Sequence, residues 1–187
     1  MRKVTYSMGA SLDGYIVGPD GGFDFAAPDD ELFRFAIDQV REVGVHLMGR
    51  RLYETMLYWE TADPGTFDDA ELEWAALWKA LPKVVFSTTL TEVRGSNTRL
   101  ASGGPGEEIA RLRAAPEEGD IAIGGATLAT AVAALGLVDE YRPKISPVLL
   151  GGGIPFFPQQ QRQVDLELVE SRTFPSRVVY LRYRTTS

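Results

Sequence analysis

Hydrophobic positions along this chain keep two periods, and the two alternate. Short apolar runs at Lys3 to Met8, Val45 to Met48 and "KVVFSTTL" are rich in the β-branched and aromatic residues of strands. Between the first two runs, Leu32, Phe33, Phe35, Ala36, Ile37 and Val40 recur at helical spacing. They follow Pro28-Asp29-Asp30-Glu31, where a proline and several carboxylates suit the positive end of a helix. "GRRLYETML" reads as a short helix leaving the second strand, and residues 59–80 as an acidic loop followed by a helix. "NTRLA" fits a fourth strand, and "GPGEEIARLRAA" a helix with glutamates in its first turn and arginines near its end. Asp120 to Gly125 is the next strand and Ala126 to Leu135 the next helix. The tail, "DEYRPKISPVLLGGGIPFF", "VDLELVESRTF" and "SRVVYLRYR", reads as strands with no helix between them. "GASLDGYIVGPDGGFD", after the first strand, reads as a glycine-rich loop.

Strands that alternate with helices and then follow one another directly imply an α/β fold. Its sheet is mainly parallel with helices on both faces, and antiparallel strands close the chain. No internal repeat or linker interrupts the pattern, and 187 residues suit a single domain over 1–187.

Composition removes several chemistries. Cysteine is absent, which excludes a thiolate nucleophile, a disulfide framework and cysteine-ligated zinc. The lone histidine, His46, sits inside "VGVHLMG" among core residues, so a packing role is expected and a Ser-His-Asp triad is not. No metal site is expected. A formal net charge of −7 argues against nucleic acid or an anionic membrane as partner. Ile121 to Val138 is uncharged but mostly Gly, Ala and Thr, a poor membrane span. A cytoplasmic protein acting on a small molecule is the expectation.

In an open α/β sheet, ligands bind beyond the carboxyl ends of strands, and three such ends carry suitable residues. Gly124-Gly125 runs straight into a helix, where free N–H groups and bare backbone suit a diphosphate, with Ala126 and Thr127 in the first turn. The same two glycines also fit a tight packing turn. Gly49-Arg50-Arg51 aims guanidinium groups from the second strand at a phosphate, or leaves them in solvent. Ser87-Thr88-Thr89 either binds phosphate or caps a turn.

"SLDGYIVGPDG", "LMGRRLYETM", "VVFSTTL", "IAIGGATLATAVAALGLVDE" and "PVLLGGGIPFF" occur in this order. Together they resemble the dihydrofolate reductase superfamily, in its branch of riboflavin-biosynthesis reductase domains and small stand-alone relatives. The resemblance spans nearly the whole chain. It implies a mixed eight-stranded sheet and an NADPH-dependent reductase similar to 5-amino-6-(5-phosphoribosylamino)uracil reductase, reducing a pyrimidine-, pterin- or imine-like molecule. It places the cofactor diphosphate on Gly124 and Gly125, often joined by a cis peptide in the family. It puts Arg50 of the Gly49-Arg50 element at a phosphate, and Ser87 and Thr88 at the adenosine end. A homodimer is implied by analogy, with Gly151-Gly152-Gly153 near the subunit contact and the substrate entrance.

The substrate end is less specified. An acid in the first helix falls on Asp30 or Glu31, where the alternative is exposed carboxylates that stabilise a helix start. Asp13 either borders the nicotinamide or stabilises a turn before Gly14, and Tyr15 and Ile16 are expected to line the same pocket, with Gly152 nearby. Leu52 stands where folate reductases carry a threonine, and a protein other than the bifunctional riboflavin-biosynthesis type with its deaminase domain is expected. A true dihydrofolate reductase, a non-catalytic dinucleotide- or flavin-binding protein and a subunit with a relic site are the competing readings.

Overall fold

Alternation along Val45-His46-Leu47-Met48 sends Val45 and Leu47 to one side of the sheet and His46 and Met48 to the other, and the two sides build separate cores. The computed structural model describes residues 1–157 and 163–186. Its main sheet contains β1 (Val4–Ser11), β3 (Val43–Gly49), β4 (Lys83–Phe86), β5 (Thr98–Leu100), β6 (Asp120–Gly124), β7 (Glu140–Ser146), β9 (Leu166–Thr173) and β10 (Val179–Thr185). The eight strands lie in the order β5-β4-β3-β6-β1-β7-β10-β9. Five neighbouring pairs are parallel, and β10 runs antiparallel to both β7 and β9.

One face carries α5 (Pro105–Ala114) and α6 (Ala126–Ala134), whose Ile109, Leu128, Ala129 and Val132 pack on Val4, Tyr6, Leu47, Ile121 and Ile123. The other carries α1 (Asp30–Arg41), α2 (Arg50–Met56), the single turn α3 (Tyr58–Thr61) and α4 (Asp69–Ala80). There Trp78 and Tyr53 pack on Met48 and Val85, while Leu32 joins Phe174, Val178 and Tyr180. Aspartates set two helix starts: Asp29 accepts the Leu32 N–H at 2.8 Å, and Asp68 forms a capping box with Glu71. Each cap is worth about 1 kcal/mol. Among the described residues no helix is long and apolar enough to cross a membrane.

The stretch after β1 is more ordered than its glycine content implies. β1 continues to Ser11, β2 (Tyr15–Val17) pairs antiparallel with β8 (Ile154–Pro155), and Asp24–Ala26 forms a 3-10 turn. The β2–β8 pair needs Gly153, where a Cβ would overlap the Val17 carbonyl. "KVVFSTTL" ends as a strand at Phe86, because Ser87 Oγ accepts the Thr89 and Leu90 N–H groups and turns the chain.

Glu140, fully buried on β7, accepts hydrogen bonds from Lys3, Arg142 and Arg182. Burial pushes its carboxyl upward, but the donors from Arg182, Lys3 and Arg142 outweigh burial and hold it at about 2. Arg142 also reaches Asp120 of β6 at 3.0 Å, so one ion cluster ties β6, β7 and β10 to the N-terminal residues.

His46 faces the α4 side, its ring edge-on to Trp78 at 5.3 Å. Burial, reinforced by the Lys83 ammonium, lowers its pKa to about 4. A Cβ on Gly124 would lie 2.8 Å from His46 Cε1 and would also overlap Leu52 Cδ2. Gly124 is therefore a packing glycine between β6 and α2. Two outcomes follow. Between pH 6.5 and 4 the unfolded chain binds a proton at His46 that the native state does not, so stability falls as pH drops through that window. Urea titrations should show that decline, and His46→Leu should flatten it. Gly124→Ala should cost about 1–3 kcal/mol by overpacking, and Leu52→Ala in the same chain should recover part of the loss, a non-additivity that direct contact requires.

Candidate functional site

The carboxyl ends of β3, β4 and β6 come out level. Met48 is registered with Gly124 and Gly49 with Phe86, so Gly49, Ser87 and Gly125 begin three adjacent segments along one edge. Gly49 and Gly125 are the N-caps of α2 and α6, and neither helix start has a side-chain cap, unlike α1 and α4. The N–H groups of Ala126, Thr127 and Leu128 lack acceptors within α6, and the dipole adds positive potential there. Gly125 has φ +92°, and a Cβ built on it would meet only Leu52 Cβ, at 3.8 Å. Its backbone is approachable and its conformation favours glycine. The family pattern of a cis Gly–Gly bond is not followed: among the described residues no peptide bond is cis.

Arg50 is brought to this edge and held there. Its Nε donates to Glu54 Oε1 at 2.7 Å and its Nη1 to Thr89 Oγ1 at 2.8 Å. Ser87 belongs to the same turn, with its Oγ 3.3 Å from Thr89 Oγ1. Thr88 is exposed and does not join, so the hydroxyl that contacts Arg50 is Thr89. Arg51 is exposed, and its side chain makes no ion pair among the described residues.

The expected acids lie elsewhere. Asp30 and Glu31 are both exposed in the first turn of α1, and Glu31 pairs with Arg172 of β9 at 2.9 Å, so neither is a buried carboxyl. Asp13 is an anchor. It accepts from Ser11 Oγ at 2.6 Å, from Gly151 N at 2.7 Å and from Leu150 N at 3.1 Å. The Ser11 hydroxyl, then the Gly151 N–H, holds its carboxyl below the usual range, which leaves it ionised. Asp13 thus ties the β1–β2 turn to the strand-exit loop that runs into Gly151-Gly152-Gly153. Tyr15 is half-buried beside it, its N–H donating to Ser11 Oγ. Ile16 is packed in the core that α5 and α6 cover, together with Phe156, because β2 folds back onto β1. Gly152 is open, with no atom within 4 Å of a built Cβ.

These pieces surround a gap in the sheet. The β1–β6 ladder ends at Tyr6–Ile123, while β1 continues beside β7 as far as Ser11–Ser146. β6 turns into α6 at Gly125 on one face, and β1 leads toward α1 on the other. Among the described residues no strand pairs with the β6-side edge of β1 from Met8 to Ala10. Ser7, Met8 and Gly9, in the fifth of eight strands, are accordingly half-buried where Val4 to Tyr6 are fully buried. This is the crevice at a topological switch point, where ligands of open α/β sheets bind. A separate cavity of about 190 Å³, lined by Arg2, Lys3, Asp139 and Arg184, lies at the amino ends of the strands, away from these groups.

One polar group at the crevice was not singled out in the sequence. Lys144 of β7 donates to Ser7 Oγ at 3.0 Å, and burial, then the Arg142 charge, lowers its amine to about 8. The alternation Glu140, Arg142, Lys144, Ser146 was the available signal, since it places four polar residues on one face of a strand buried within a sheet.

The geometry agrees with known proteins. A protein of Bacillus subtilis (strain 168), "Uncharacterized protein YyaP", is 32% identical over 183 residues, covering 97% of this chain and 94% of that one. The crystal structure described as a putative riboflavin biosynthesis protein from Shewanella sp. PV-4 superposes with a TM-score of 0.77 at 23% identity, covering 99% of both chains. Dihydrofolate reductase from Enterococcus faecalis, complexed with NADP(H) and RAB-propyl, superposes at a TM-score of 0.60 with 15% identity, over 99% of this chain and 97% of that one. The fold is that of the dihydrofolate reductase superfamily, as the five motifs implied. The family model described as "RibD C-terminal domain" matches residues 2–180, and the chain belongs to that family.

Proposed function

We propose that this protein is an NADPH-dependent reductase of the riboflavin-pathway type, transferring hydride to a pyrimidine-, pterin- or imine-like small molecule. The observation that carries the reading is the row of Gly49, Ser87 and Gly125 on level strand ends, with an uncapped α6 and Arg50 beside the crevice. The residues fit the cofactor. The free N–H groups of Ala126 and Thr127 would take the diphosphate without a Cβ at Gly125 in the way, and Arg50, steadied by Glu54 and Thr89, would take a phosphate at the adenosine end. The bound dinucleotide supplies the hydride, and the protein positions it and the acceptor. Membership in the RibD C-terminal domain family supports the same reading, as does the NADP(H) in the enterococcal structure. The exposure of Asp30 and Glu31 favours a riboflavin-type substrate over dihydrofolate, because the resemblance to folate reductases implies an acid in the first helix that holds dihydrofolate. Exposed Leu166, Leu168 and Val169 on the edge strand β9 support a homodimer, which we place in the cytoplasm.

NADPH should raise the melting temperature, because a ligand that binds only the native state stabilises it by about 2.7 kcal/mol at a hundredfold excess over Kd. NADH should do less, and Arg50→Ala should remove most of the difference between the two. A thermal-shift titration with both nucleotides reads this, and no shift with either nucleotide overturns the reductase reading. With NADPH established, oxidation followed at 340 nm with 5-amino-6-(5-phosphoribosylamino)uracil and with dihydrofolate separates the two enzyme activities.

A further inference from the structure

The carboxylates expected to serve the reaction are exposed or ionised, so the proton that must accompany a hydride needs another source. Hydride addition to a C=N or C=O carbon leaves a lone pair and charge on the heteroatom. Lys144 is a half-buried hydrogen donor that the strand pairing brings to the crevice. Gly9 is registered with Lys144, and Ser7 with Arg142, so Ser7, Gly9 and Lys144 share one face at the point where β1 loses its β6 neighbour. A Cβ on Gly9 would lie 2.8 Å from Ala26 Cβ, so the 3-10 turn before α1 passes directly over Gly9.

The other charges near it are committed elsewhere. Glu140, on the same face of β7, is shared by Lys3, Arg142 and Arg182, and Asp120 is taken by Arg142. On α1, Asp29 caps the helix and accepts Ser176 N, Glu31 pairs with Arg172 and Asp38 with Arg41, while Asp30 and Arg34 are exposed. Opposite Lys144 on β10 stands Tyr180, buried and protonated. Lys144 is left with no carboxylate within ion-pair distance among the described residues. Among the described residues its side chain's hydrogen bond is to Ser7 Oγ, which in turn donates to the Arg142 carbonyl at 3.1 Å. Ser7 must therefore accept from the amine, which fixes the direction of that hydrogen bond.

We propose that Lys144 is the proton donor of this reductase, and that its substrate presents an imine nitrogen or carbonyl oxygen to the amine. This rests on the reductase reading above. As the acceptor carbon receives the hydride of a dihydronicotinamide, the π pair moves to the heteroatom and Lys144 gives that atom a proton. The acceptor is reduced, the nicotinamide oxidised, and the neutral amine regains its proton from water. Ser7 is a positioning residue for the amine. Burial and the neighbouring Arg142 charge, which bring the amine to about 8, suit a group that must be charged at neutral pH and still release its proton.

The test uses the full chain saturated with NADPH. The Lys144 side-chain methylene is followed by ¹³C NMR from pH 6 to 11, a tractable spectrum because the chain has four lysines (Lys3, Lys79, Lys83 and Lys144). In parallel, kcat and KM for 5-amino-6-(5-phosphoribosylamino)uracil are measured for wild type, Lys144→Met, Lys144→Arg and Ser7→Ala. The expected result is a Lys144 titration near 8 and a wild-type kcat that falls above that pH. Lys144→Met should lose about 100-fold or more in kcat with the NADPH-induced rise in melting temperature intact, and Ser7→Ala should displace the alkaline limb. Lys144 titrating near the ordinary lysine value of about 10.4 overturns the proposal whatever the turnover, as does Lys144→Met with wild-type kcat. Absence of any NADPH stabilisation in the wild type fails the underlying reductase reading, a different result from either.

Discussion

The parting of β1 from β6 beyond Tyr6 and Ile123 is the constraint on which this molecule turns. β1 connects over one face of the sheet and β6 over the other, so no helix can cover both carboxyl ends and no strand can fill the space between them. The core tolerates the opening because it closes just below it: Val4, Tyr6, Ile121 and Ile123 are almost fully buried, packed against α5 and α6. The ligand groups then follow from register. Met48 beside Gly124 and Gly49 beside Phe86 bring two uncapped helix starts and the Ser87 turn to one rim. An anion can be bound there by backbone dipoles and one guanidinium, although the chain as a whole carries a net charge of −7.

Charge pairing inside the sheet shapes the other wall. Glu140 is buried and would be costly alone, and three cations compensate it. That arrangement uses both of its oxygens and leaves no carboxylate for Lys144. A half-buried ammonium whose partner is a hydroxyl is a cost to folding, because its charged form loses part of its hydration without a counter-charge. Costs of this kind persist where the group has work to do. Lys83 makes the contrast: more deeply buried than Lys144, it lies 3.5 Å from Glu60 and donates to the Trp78 and Leu81 carbonyls, a satisfied structural amine.

Much of this was legible in the sequence, and the remainder was hidden for identifiable reasons. The order of strands and helices, the antiparallel end and the Gly49, Arg50 and Gly125 elements depend on local period and turn chemistry, which one window of sequence contains. The β2–β8 pair does not, since Tyr15 and Pro155 are distant in the chain and Gly153 reveals its purpose only against the Val17 carbonyl. Asp30 and Glu31 misled because a carboxylate in a first helical turn has the same sequence signature whether it steadies the dipole or faces a substrate. Burial distinguishes the two roles, and burial is set by neighbours. Lys144 was missed for the same reason, because its lack of a counter-ion is a property of Glu140 and its three cations.

The two glycines at the end of β6 show how adjacent identical residues divide their roles. Gly124 lacks a Cβ because Leu52 and His46 occupy its place, so it would be required there with or without a ligand. Leu52 stands at the position where folate reductases carry a threonine, and here its side chain fills the space over Gly124, exchanging a polar contact for apolar packing. Gly125 has open space around it and a left-handed backbone angle, so its constraint is conformational and its exposure leaves the first turn of α6 reachable. A substitution at Gly124 therefore reports on packing and one at Gly125 on the helix entry. An apparent loss of nucleotide affinity from changing the pair together would confuse the two, since a displaced Leu52 moves α2 and with it Arg50.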